Sequence, residues 1–167
     1  MFGTLTIQGD LEQLSRIAAE LHELYPNGVR ARVDVEAVDG WSVGAATALL
    51  RRLARRQVIT LQELVAGDGY VADDALRSRL ATEAGADPTS QISLRGLTGP
   101  ISKHIVHLIG DGLLPASTGN PVTADYDNSN SSYQRTSGLS LARPLVPIFR
   151  AAFETIDSRA ISTAVAS

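Results

Sequence analysis

Residues 101 to 115, Ile-Ser-Lys-His-Ile-Val-His-Leu-Ile-Gly-Asp-Gly-Leu-Leu-Pro, constrain the fold more than any other stretch of the chain. Ile101, Ile105, Leu108 and Ile109 recur at helical spacing and line one face of a helix. Lys103, Val106 and His107, with the small Gly99 and Gly110, fall on the opposite face. Gly112 is expected to end the helix, because glycine enters the left-handed region most easily, and Leu113, Leu114 and Pro115 to stop it against the core. A short helix that anchors by one apolar stripe and offers a small, basic, polar face is what a DNA major groove accepts.

The flanking sequence divides into short elements. Phe2, Leu5 and Ile7 suggest a strand, and Asp10 caps a helix carrying Leu11, Leu14, Ile17, Leu21 and Leu24. Val29, Ala31, Val33 and Val35 alternate with charged residues as a half-exposed strand. Residues 1 to 38 thus read as a strand-helix-strand element. Such a unit cannot bury a core alone and must pack on the remainder or on a second copy, a dimer sheet.

Ser42 caps a helix with Val43, Ala46, Leu49, Leu50 and Leu53 inward, and Arg51, Arg52, Arg55 and Arg56 form a basic cluster late in it. That cluster reads as a solvated face complementing the helix dipole. Thr60-Leu61-Gln62-Glu63 has the form of a capping box opening a short helix that ends at Gly67. Tyr70-Val71 permits a short strand. Asp73 caps a helix through Leu76 and Leu80 to Glu83, and Thr98 is the expected N-cap of the helix first described. Val122 and Ala124 begin a strand, residues 127 to 132 form a polar tip, and Leu139-Ser140-Leu141 return as a hairpin. Pro144 and Pro147 open a last helix with Val146, Phe149, Phe153 and Ile156 inward, and residues 158 to 167 are expected to fray.

Ser102-Lys103-His104, followed by the apolar register and Gly112-Leu113-Leu114, resembles the recognition helix of bacterial winged-helix repressors of the arsenic-repressor and multiple-antibiotic-resistance types. The likeness spans residues 58 to 150 and is sharpest over 101 to 114. It implies an α+β fold, a winged helix-turn-helix domain over 41 to 157 preceded by the strand-helix-strand element. It also implies a homodimeric transcriptional regulator that binds double-stranded DNA. In that family the helix enters the major groove and a hairpin wing touches the flank. On this chain Ser102, Lys103 and His107 would meet bases or phosphates, Arg95 and Thr98 would lie at the helix start, and Tyr133 and Arg135 would lie near the wing tip. Two features differ from the family pattern. The connection before the recognition helix is about a dozen residues where a helix-turn-helix uses a few, and the wing carries few bases.

Composition narrows the alternatives. The chain has 167 residues and no cysteine, which removes disulfides, thiol catalysis and thiolate metal sites. No apolar run approaches the roughly 20 residues of a membrane span, and the first residues lack a signal-peptide pattern, so a cytoplasmic protein without membrane contact is expected. Net charge is −3, against indiscriminate nucleic-acid binding, yet residues 89 to 150 carry five bases against three acids. The acidic balance and sparse wing leave open a winged-helix protein-interaction module or adaptor. A ligand- or metal-sensing repressor is the other alternative. His104, His107 and Asp111 share one helical stripe and would be its metal-site candidates, although a fourth ligand is missing and no cofactor is expected. Asp125 to Asn130 begins like a calcium loop but lacks the glycine at its sixth position and the closing glutamate. No catalytic motif with a supporting context is present, so no enzymatic activity is expected.

Overall fold

The computed structural model describes residues 37–89, 92–127 and 135–165, with Arg16, Ile17, Glu20, Glu23 and Leu24, which are helical. The chain separates into two units, 1–36 and 37–167. The strand-helix-strand arrangement expected at the start, and the dimer sheet it suggested, lie outside the described residues.

Asp39 and Gly40 both take positive φ, 50° and 82°, which is the twist a two-residue turn needs to reverse an extended chain. Val38 and Trp41 close that turn with paired backbone hydrogen bonds of 2.9 and 2.8 Å. A side chain at Gly40 would also strike Pro115, whose Cδ lies 2.4 Å from where a Cβ would stand. Ser42 then caps helix α1, Val43–Leu50, its Oγ accepting from the Ala45 N–H.

Helix α2, Arg55–Ala66, starts ahead of the expected capping box. Thr60 lies wholly buried inside it and donates to the Arg56 carbonyl at 2.8 Å. Burial of Ile59, Thr60, Leu61 and Leu64 outweighs the local capping pattern. The arginine cluster is likewise redistributed. Arg51 and Arg52 follow α1, but Arg55 and Arg56 open α2, at the end where the dipole disfavours cations. Arg55 is held by Glu83 at 2.7 Å, and Arg56 donates to the Ser93 carbonyl at 2.6 Å.

Strand β1, Tyr70–Ala72, leads directly into helix α3, Asp73–Glu83. Asp73 does not cap α3; it is the first helical residue, and its buried Oδ2 accepts from Thr136 Oγ1 at 2.7 Å and Arg77 Nη2 at 3.5 Å. That contact fixes the start of α3 on the hairpin. A buried carboxylate left without such a donor costs more than the roughly 1–3 kcal/mol of a neutral polar group. Arg79 bridges Glu63 of α2 and Glu83 of α3 at 3.1 and 3.3 Å.

From Ala84 to Leu97 the chain is irregular where described, and two arginines pin it: Arg56 on Ser93, as above, and Arg77 on the Ile92 carbonyl. Helix α4 spans Thr98–Gly110, the stretch that its apolar period marks. Thr98 is its first helical residue, and no side chain caps it. Its stop is of the glycine type: Gly112 sits at φ 72°, and the Leu113 N–H returns to Leu108 at 2.9 Å. Of the three residues expected to meet the core there, only Leu114 is buried; Leu113 and Pro115 are exposed because the reversal at Gly112 turns the chain outward.

Strands β2, Val122–Asp127, and β3, Arg135–Leu141, form the expected hairpin, and β3 takes the middle of an antiparallel sheet ordered β1-β3-β2. Register shifts between Asp125 and Tyr126, whose partners Gly138 and Thr136 leave Ser137 as the extra residue of a bulge on β3. A 3₁₀ turn, Arg143–Leu145, opens helix α5, Val146–Val165. Its buried stripe is Val146, Ile148, Phe149 and Ala152, and Phe149 meets Trp41 with ring centroids 5.4 Å apart. Phe153 and Ile156 are only half-buried, at the margin of that stripe, and the backbone stays helical through Val165 where fraying was expected. The described residues therefore form an α+β fold. No helix among them is long and apolar enough to cross a membrane.

Candidate functional site

Helix α4 divides sharply between its two faces. Ile101, Ile105 and Leu108 are at most 3% exposed, while Ser102, Lys103, Val106, His107 and Gly110 are exposed. The apolar period thus fixes which side chains are offered outward, and no acidic residue lies in the first turn to oppose an anion there.

Asn120, just before β2, holds the first turn in place. Its amide nitrogen donates to the Thr98 carbonyl at 3.2 Å and to Ser102 Oγ at 2.8 Å, and its oxygen accepts from the Val122 N–H at 2.9 Å. One side chain therefore couples the start of α4 to the start of the hairpin. Ser102 accepts that bond and keeps its own hydroxyl hydrogen for an outside acceptor. At the other end of the helix Asp111 pairs with Arg52 at 2.7 Å.

His104 lies at the margin of the buried face, with its Nδ1 enclosed and lacking a protein partner. Burial lowers its pKa from the ordinary histidine value, and the positive charges of His107, Arg52 and Lys103 push the same way. The rings of His104 and His107 meet edge to face with centroids 6.1 Å apart. Asp111, third member of the sequence-derived metal stripe, is engaged by Arg52 instead. Among the described residues no group of three or more His, Asp or Glu comes together in a metal-holding arrangement.

No protein-family profile, curated protein or solved structure matches this chain.

The remaining sequence-derived candidates divide by place. Ser102, Lys103 and His107 share the outward side of α4; Thr98, half-buried, starts the helix, and exposed Arg95 precedes it by three positions, its N–H on Ser93 Oγ. Arg135 begins β3 opposite Asp127, at the far end of the hairpin. Tyr133 lies outside the described residues. Asn120 is not legible in the sequence, and Arg52 reads there only as part of a solvated cluster: a lone asparagine in Thr118-Gly119-Asn120-Pro121 carries no periodic signal, and its partners on α4 are eighteen and twenty-two positions away. Beside Asn120 opens a cleft of about 590 Å³, lined also by Gly40, Trp41, Pro115, Thr118 and Leu141.

Proposed function

We propose that this chain is a sequence-specific DNA-binding protein of the winged-helix kind, a homodimeric transcriptional regulator. Helix α4 enters the major groove and the β2–β3 hairpin lies along the flanking backbone. The observation that carries this reading is the element order α2-β1-α3-α4-β2-β3 with the sheet ordered β1-β3-β2, which leaves the polar side of α4 uncovered and leads from it into a hairpin. Lys103, Ser102 and His107 are the base-edge or phosphate contacts. Arg95 and Thr98 are assigned to phosphates at the helix start, and Tyr133 and Arg135 to the flank. With a net charge of −3 for the whole chain, affinity comes from this local face and not from bulk attraction.

The test is retention on random and genomic duplex DNA across a salt series. Selective enrichment that weakens with salt, with a log-log slope shallower by about one for Lys103→Ala, is the expected result. No retention at low salt removes DNA as partner and leaves the reading of α4 as a protein-docking face.

A second reading adds a small ligand that tunes the same face. It is favoured by the cleft beside Asn120, since that side chain both lines the cleft and holds the first turn of α4. A compound that raises the melting temperature and shifts DNA affinity in the wild type, but not in a cleft variant such as Thr118→Phe, is its signature.

A further inference from the structure

Gly99, Lys103, Val106 and Gly110 follow one another along α4 at successive helical turns and make one outward ridge. Val106 is 65% exposed at its centre, and a Cβ added at either glycine would meet nothing within 4 Å. A β-branched residue in the middle of an exposed helical surface gains nothing from helix propensity, and at this exposure nothing from the core. Bare glycines, Gly99 two turns before Val106 and Gly110 one turn after it, allow the helix backbone close approach to whatever the ridge meets. The ridge therefore offers one cation and one small apolar knob between two clearances.

Resting on the DNA-binding reading above, we propose that Val106 is a specificity-determining residue that packs on the C5-methyl group of a thymine. That methyl is the apolar group a base pair presents in the major groove; the other edge groups there are hydrogen-bond donors and acceptors. Lys103 stands three residues earlier, about 4.5 Å along the helix axis, against a base step of about 3.4 Å. Its ammonium donates to guanine O6 or N7. The element read by the ridge is thus a thymine within one or two steps of a guanine.

The experiment takes the duplex most enriched from a random pool and replaces its thymines one at a time by deoxyuridine, which lacks only the methyl. Affinities of wild type and Val106→Ala are then compared at one salt concentration. Val106 is exposed, so the variant is expected to keep the wild-type circular dichroism and melting temperature. The expected result is one thymine, with a guanine within two steps, whose replacement weakens wild type about fourfold, the worth of one buried methylene-sized group. The same replacement leaves Val106→Ala unchanged. Wild type indifferent to every replacement, or Val106→Ala retaining the loss, overturns the assignment while leaving DNA binding standing. Enrichment of no duplex at all overturns both, and points to a protein surface as the partner of this ridge.

Discussion

Arg52 Nη2 stands 2.7 Å from Oδ2 of Asp111, tying the turn after α1 to the C-terminal cap of α4 across fifty-nine residues. The arginine that local charge patterning assigns to solvent thus orients the candidate reading helix. Both side chains keep contact with water, 36% and 50% exposed, so the pair acts in a high dielectric. Arg52→Ala is expected to lower unfolding free energy by no more than about 1 kcal/mol, and by less in high salt. Urea titrations at two salt concentrations check this. A loss of several kcal/mol that salt does not change would mean that the pair is shielded from solvent.

Asn120 makes a sharper prediction, because its two ends serve different elements. Asn120→Asp keeps an acceptor for Val122 and loses the donor to Thr98 and Ser102; Asn120→Ala loses both. Each bond contributes about 0.5–1.5 kcal/mol net. Hydrogen exchange is expected to quicken in the first turn of α4 in both variants, and at Val122 only in Asn120→Ala. On the proposed DNA-binding reading, affinity for DNA should fall in both more than in Ser102→Ala, since the whole turn and not one hydroxyl is released. Equal exchange in wild type and Asn120→Asp would remove the coupling.

What the sequence made legible follows from the range of each interaction. The bounds of α4, its two faces and its glycine stop are set by neighbours within a turn or two, so periodicity and Gly112 suffice to place them. The hairpin is legible for the same reason, from Val122 and Ala124 to Leu139 and Leu141. The capping pattern at Thr60 misleads because four residues carry only short-range information, while burial of Ile59 and Leu64 against the rest of the fold decides the helix start. Arg56 and Arg77 were invisible as loop anchors: their acceptors are backbone carbonyls at Ser93 and Ile92, which side-chain chemistry does not mark. For the candidate site, exposure of Lys103, Val106 and His107 could be read from the helical period. The clamp by Asn120 could not, since it exists only once α4 and β2 meet.

His104 links the site to pH. Its Nδ1 is enclosed without a partner, and burial, then the charges of His107, Arg52 and Lys103, hold its pKa below the ordinary value of 6.5. In the unfolded chain the same imidazole titrates near that ordinary value. Between 6.5 and the lowered folded value the unfolded state therefore binds more protons than the folded one, and stability rises with pH across that window. Above it both states are neutral and the stability is fully present; below the folded value both are protonated and the loss reaches its limit. Denaturant midpoints are expected to fall as pH is lowered from 6.5 through that window, and less steeply in His104→Gln, which cannot charge. Arg52→Ala removes one of the repelling cations, so it should move the His104 titration upward and narrow the window. Ring-proton NMR titration of wild type and both variants reads each outcome. A His104 that titrates at or above 6.5 in the folded wild type, or a midpoint profile that His104→Gln leaves unaltered, would rule out the enclosed imidazole as the source of the pH dependence.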